Sequence, residues 1–212
     1  MKLPEKFEIK MKNMLGDEYE NFIHSMEISP VFTGIRINTS KNGSKEAVLN
    51  ELGQLENIPW CKDGFYTDKS VISGNHPYHI AGLFYFQEPS AMSVVSALPV
   101  NKDDYILDLC AAPGGKSTQA GAMLSDDGLL IANEIIKNRS NILADNIERF
   151  GLSNTIVTNE TPQKLAEIFP HFFDKIIVDA PCSGEGMFRK EPQAADEWSI
   201  EHTVSCGIRQ KH

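Results

Sequence analysis

The sequence predicts an α/β protein: a doubly wound parallel sheet in the carboxyl-terminal part, preceded by a smaller α+β domain. Three observations carry this. From Val100 onward, strand-like apolar runs alternate with helix-like segments in a β-α-β-α-β-α-β series, which folds as a parallel sheet covered by helices. The first of those strands runs into Pro113-Gly114-Gly115, a tight turn that feeds a helix. Before Val100 the pattern is different, with helical spacing first and then short strands among turn residues. The boundary falls near Leu98-Pro99, giving domains over residues 1–98 and 99–212.

Taken in order, residues 1 to 27 place Phe7, Met11, Met14, Leu15, Tyr19, Phe22, Ile23 and Met26 at roughly helical spacing, which reads as one or two amphipathic helices. Ser29-Pro30 breaks them. Val31 to Asn38 alternates like a strand, with Arg36 and Asn38 on the face opposite Ile35 and Ile37. Lys41-Asn42-Gly43 is a turn, and Lys45 to Leu55 a short helix. Residues 61 to 82 are rich in turn residues, with short strands at Gly64–Tyr66 and Leu83–Phe86. Pro89 suits the first turn of a helix ending near Leu98. Strands then follow at Tyr105–Leu109, Leu129–Asn133, Thr155–Thr158 and Lys175–Asp179. The helices between them are Ser117–Leu124, Ile136–Phe150 and Pro162–Phe169.

The totals narrow the function. No apolar run approaches the ~20 residues of a membrane span, and the first residues lack the apolar core of a signal peptide. A cytoplasmic protein without a membrane partner is expected. The four cysteines, Cys61, Cys110, Cys182 and Cys206, are far apart and form no CxxC pair, so neither a metal site nor a disulfide framework is expected. The net charge of −9 argues against a protein that coats nucleic acid, but leaves room for a local basic track. The oligomeric state has no signature in the sequence.

A strand, a glycine turn and a helix bind nucleoside-bearing cofactors at the carboxyl end of a sheet. Gly115-Lys116-Ser117 ends like a phosphate-binding loop, but that motif requires glycine five residues before Gly115, where Cys110 stands. The G-x-G-x-x-G spacing of dinucleotide sites is absent too. Glu134 lies ~20 residues after the turn, at the end of the second strand, where an acid accepts hydrogen bonds from both ribose hydroxyls. A solvated strand-end acid means little alone. With the turn, it points to an adenosyl cofactor without a pyrophosphate, which fits S-adenosylmethionine. At the third strand end, Asn159 is the candidate for the adenine amino group. At the fourth, Asp179 precedes Pro181-Cys182-Ser183-Gly184 and faces the same crevice. An acid and a thiol beside a methyl donor suit one reaction. A thiolate adding to carbon 6 of cytosine makes carbon 5 nucleophilic, while a carboxylic acid on ring nitrogen 3 stabilises the developing charge. The base must be unpaired or swung out to be reached.

LDLCAAPGGKS (Leu107–Ser117), Glu134 and VDAPCSGEGMFRK (Val178–Lys190) resemble the Sun-type family of RNA cytosine-5 methyltransferases, and the match to its bacterial ribosomal RNA members of RsmF type is close. RINT (Arg36–Thr39) and QEPSAM (Gln87–Met92) resemble the same family's amino-terminal region, so the resemblance runs from about Phe32 onward. It implies a Rossmann-like methyltransferase sheet. It also implies that Cys110, Ala111, Ala112, Pro113, Gly114, Gly115 and Lys116 line the cofactor site, that Glu134 holds the ribose and that Asp179 meets both cofactor and cytosine. The implied partner is RNA, specifically small-subunit ribosomal RNA. Transfer RNA, or a scaffold that binds RNA without catalysis, are the alternatives. Of the basic residues expected near the crevice, Arg36, Arg189 and Lys190 are the candidates for phosphate contacts.

The family's Pro-Cys cysteine, here Cys182, is associated with product release, and its covalent nucleophile lies in a Thr-Cys motif on the next strand. This sequence has no Thr-Cys; Cys206 follows Val204-Ser205 and is read as structural. Thr161 stands where the family often has an acid. The sheet is thus expected to be incomplete in its carboxyl-terminal half, with the fourth strand as an exposed edge. The chain is expected to be a fragment that binds the cofactor weakly and does not turn over.

Overall fold

A computed structural model describes residues 3–28, 31–68, 72–191 and 193–211. The expected break at Ser29-Pro30 lies outside the described residues. The chain forms two compact units: Met1–Val31 with Ala180–His212, and Phe32–Asp179.

In the first unit, helix α1 (Glu5–Leu15) passes through a 3-10 turn (Gly16–Glu18) into α2 (Tyr19–Ile28). Their apolar faces share a core of Phe7, Met11 and Tyr19 with Phe188, Ala195 and Trp198 from the far end of the chain. Phe7 meets Phe188 and Trp198 edge-on, at centroid distances of 5.1 and 5.6 Å. Lys10 and the Trp198 indole both donate to Glu185 Oε1.

The second unit contains two sheets. Strand β1 (Thr33–Ile37) lies antiparallel between β2 (Gly64–Thr67) and β3 (Phe84–Phe86). Helix α3 (Ser44–Leu52) and the short α4 (Pro77–Ile80) lie between these strands in sequence, and α5 (Pro89–Ala97) follows. The alternation read in β1 is observed, but both faces are covered. Ile35 and Ile37 pack against Val48, Phe65, Ile72 and Phe84, while Arg36 and Asn38 are 3% and 0% exposed.

The second sheet is parallel, in the order β6-β5-β4-β7, built from β4 (Tyr105–Asp108), β5 (Leu129–Asn133), β6 (Thr155–Thr158) and β7 (Lys175–Ile177). Helices α6 (Gly115–Gly121), α7 (Lys137–Phe150) and α8 (Pro162–Ile168) join them. Strand order reverses at β4, since β5 and β6 extend to one side and β7 returns to the other. A crevice outside the carboxyl ends of β4 and its neighbours follows from that reversal. Strand β7 is an edge, with Ile176 and Val178 exposed. At the opposite end of β4, Asp104 is buried against Lys175 and accepts two bonds from Asn101. Burial alone would raise its pKa, but these donors hold it below the usual carboxylate range.

The sequence boundary at Leu98-Pro99 falls inside the second unit. The small sheet is tied to the start of α6: Arg36 donates to Gly115 O and Thr118 Oγ1, and Gln87 to Gln119. After the parallel sheet come a 3-10 turn (Glu185–Met187), α9 (Gln193–Glu197) and α10 (Ile200–Arg209), the last capped by Ser199 Oγ accepting from His202 N. Among the described residues no helix is long and apolar enough to cross a membrane.

Candidate functional site

The site is built where β4, β5 and β6 end. The turn after β4 is pinned on both sides: Leu109 N donates to Ile177 O, and Ala111 N to Asn133 O. The Ala112–Pro113 peptide is cis. Gly114 has φ +113°, in the region that favours glycine, and a Cβ there would stand 3.2 Å from Leu143. Four successive carbonyls of the turn each accept a hydrogen bond. Ala112 O takes Arg139 Nη2 at 2.9 Å. Pro113 O takes Asn146 Nδ2 at 2.7 Å and the Tyr85 hydroxyl at 3.2 Å. Gly114 O and Gly115 O both take Thr118 Oγ1, and Gly115 O also takes Arg36. A turn held this way is pre-formed, and a pre-formed site costs less to bind than one that must be ordered.

Asp108, at the end of β4, is 1% exposed. Its Oδ2 accepts from Ser117 Oγ at 2.6 Å. Its Oδ1 is the one buried carboxylate oxygen among the described residues that lacks a hydrogen-bond partner. Burial, with the Asp179 charge, pushes the Asp108 carboxyl up to about 6, against the pull of Ser117, Lys116 and the backbone N–H of Cys110. A buried acceptor without a donor is costly, and a ligand donor beside the turn would relieve that cost.

Glu134 follows β5 and is 3% exposed. Its Oε1 accepts from Ile136 N at 2.9 Å, and its Oε2 pairs with Arg139 Nη1 at 3.3 Å. Asp179 follows β7, and its Oδ2 meets Lys116 Nζ at 2.6 Å. Cys110 is half-buried; burial and the charges of Glu134, Asp108 and Asp179 push its thiol up, so it lines the site as a neutral thiol.

The second unit therefore brings Cys110–Lys116, Glu134, Asn159 and Asp179 to the strand ends. Asn159 gives its amide nitrogen to Glu134 O and Ile135 O, which ties its side chain to the loop after β5 and leaves its Oδ1 as the atom that would accept from an adenine amino group. Thr161 is the N-cap of α8, accepting from Lys164 N.

Arg36 corrects the expectation of a phosphate contact. It is buried and gives Nε to Gln87 Oε1 at 2.8 Å and Nη2 to Thr118 Oγ1 at 2.6 Å. Its guanidinium lies over the Phe150 ring at 5.2 Å. Lys41 is likewise engaged, on Ala81 O and Arg149 O. Cys182 (exposed), Arg189 (half-buried) and Lys190 (exposed) belong to the first unit, as does the buried Cys206. Among the described residues no three of His, Cys, Asp or Glu are grouped to hold a metal.

Sequence reasoning missed Asn133 and Arg139. Asn133 is 1% exposed, donates to Leu109 O and Glu160 O, and accepts from Thr158 Oγ1 and Glu160 N, so it ties three strand ends together. A polar residue closing the apolar run Leu129–Ala132 was the available signal.

Residues 3–89 match the family described as the N-terminal domain of 16S rRNA methyltransferase RsmF, and residues 95–211 match 16S rRNA methyltransferase RsmB/F. The Ribosomal RNA small subunit methyltransferase F of Vibrio cholerae serotype O1 (strain M66-2) is 40% identical over 219 residues, covering 99% of this chain and 46% of that protein. The protein of the same name from Shewanella woodyi is 42% identical over 201 residues, covering 91% of this chain and 42% of its own length. The chain thus spans about half the length of the curated relatives it matches. Among solved structures, a methyltransferase homolog protein from Pyrococcus horikoshii superposes with a TM-score of 0.72 at 25% identity, covering 97% of this chain and 73% of that one. NSun6 from Pyrococcus horikoshii with SFG does so with a TM-score of 0.83 at 20% identity, covering 98% and 77%. The latter likeness concerns the fold alone. With both halves matched and relatives at this identity, the chain belongs to the RsmB/F family of 16S rRNA methyltransferases.

Proposed function

We propose that this chain binds S-adenosylmethionine at the glycine turn and takes part in methylating carbon 5 of a cytosine in small-subunit ribosomal RNA. The observation that carries the reading is the turn at Cys110–Lys116, with its carbonyls engaged, flanked by Glu134 after β5 and Asp179 after β7. The residues fit the cofactor. The orphaned Asp108 Oδ1 and the Glu134 carboxylate offer buried acceptors to a ligand rich in donors. When bound, S-adenosylmethionine supplies the methyl group. In this reading Glu134 holds the ribose hydroxyls, and Asn159, tied to the loop after β5 through its amide nitrogen, turns its side-chain oxygen to the adenine amino group. Asp179, as a carboxylic acid with Lys116 on its Oδ2, donates its proton toward ring nitrogen 3 of the cytosine and stabilises charge there. Cys182, three residues on, takes the family's product-release role, and Arg189 and Lys190 contact phosphates. The names of the curated relatives support the RNA class. The four free thiols suit a reducing compartment, and the cytoplasm is the proposed location.

The test pairs two readouts on the chain: thermal unfolding with and without S-adenosylmethionine, and binding to small-subunit ribosomal RNA fragments followed across a salt series. The proposal expects stabilisation by the cofactor and RNA binding that weakens with salt. RNA binding with no cofactor stabilisation would replace it with a scaffold role. A preference for transfer RNA over ribosomal fragments would overturn the substrate class.

A further inference from the structure

Arg139 enters the reading above only as a donor to the turn, yet its guanidinium joins the two sides of the proposed cofactor site. It sits in the first turn of α7, directly after the loop that carries Glu134. One nitrogen, Nη2, donates to Ala112 O in the glycine turn at 2.9 Å. The other, Nη1, pairs with Glu134 Oε2 at 3.3 Å. The Glu134 side chain is 4% exposed, while that of Arg139 is 45% exposed. A half-open arginine thus pairs with an almost fully buried carboxylate.

The acceptor count gives this contact a consequence. A carboxylate has about four acceptor positions, two on each oxygen. Ile136 N uses one on Oε1 by a hydrogen bond, and the Arg139 guanidinium stands beside Oε2 as an ion pair. At least one position on each oxygen is left, which matches the two adjacent hydroxyls of a ribose. The fork also fixes where those positions lie relative to the turn, because the same guanidinium is anchored on Ala112 O. A lysine ammonium is a point charge and lacks the planar fork that spans both acceptors.

We infer that Arg139 is a positioning residue for ribose recognition, setting the Glu134 carboxylate so that it selects a ribose over a deoxyribose. The inference rests on the cofactor reading proposed above. Its test is calorimetric titration of the chain and its variants with S-adenosylhomocysteine and with the 2′-deoxyadenosyl analogue of that molecule. The native chain is expected to prefer the ribose compound by about tenfold, the scale of one charge-assisted hydrogen bond. In Arg139→Met that preference is expected to shrink to within about twofold, while S-adenosylhomocysteine binding weakens about tenfold. Arg139→Lys is expected to recover part of the affinity and little of the preference. Equal weakening of both compounds, with the preference kept, would overturn the inference and leave Arg139 as a structural tie on the turn. Unchanged affinity and preference would overturn it too. A native chain that binds neither compound would sink the cofactor reading and this inference with it. Native binding with an unaltered preference in Arg139→Met would sink the inference alone.

Discussion

Glu134→Ala is expected to weaken S-adenosylhomocysteine binding by about 100-fold in calorimetric titration. Two hydrogen bonds from ribose to an ionised carboxylate are worth on the order of 1.5 kcal/mol each net of water, so losing both removes roughly 3 kcal/mol. The substitution also strands Ile136 N, which donates to this carboxylate, and removes the ion-pair partner of Arg139. Glu134 follows the last residue of β5 and is absent from the main core clusters, so the fold is expected to survive. Glu134→Gln keeps one acceptor and is expected to fall between the two. A loss of less than about threefold in Glu134→Ala would remove Glu134 from the site.

The second large effect concerns stability. Arg36→Met is expected to destabilise the second unit by about 4 kcal/mol, the range seen when a buried polar network is broken. Burial lowers the pKa of Arg36 to about 10, so the residue is charged at neutral pH. Its partners, Gln87 Oε1, Gly115 O and Thr118 Oγ1, join the small sheet to the start of α6. Removing the guanidinium leaves the Gln87 acceptor buried and empties the space over Phe150. Urea denaturation followed by circular dichroism measures the change. A midpoint that implies a loss under about 1 kcal/mol would mean that the small sheet does not support the turn.

The strands of the parallel sheet were legible because each is a short apolar run between turn residues, and Tyr105–Asp108, Leu129–Asn133 and Thr155–Thr158 fall within or on their expected bounds. Helix α4 was not legible: residues 75–80 read as turn composition, although Pro77 at its first turn and His76 Nδ1 accepting from Tyr78 N are start signals. The alternation of β1 correctly put Arg36 and Asn38 on one face. It could not say that α6 and α7 would cover that face, where Asn38 donates to Phe150 O and Arg36 to Gly115 O. Local periodicity records which residues share a face, and long-range packing decides whether that face is wet. The same limit applies within the site. Glu134 was found by its distance from the glycine turn, whereas Arg139 and Asn133 act through contacts that only the assembled strand ends create.

The most direct test of the account is a map of backbone amide shifts in a ¹H–¹⁵N spectrum of the chain as S-adenosylhomocysteine is added. The largest shifts are expected on the amides of Cys110–Ala112 and Gly114–Lys116, Pro113 having no amide N–H, and on those around Glu134, with weaker effects near Asn159 and Asp179. Saturable shifts centred elsewhere, or none at all at millimolar ligand, would contradict it.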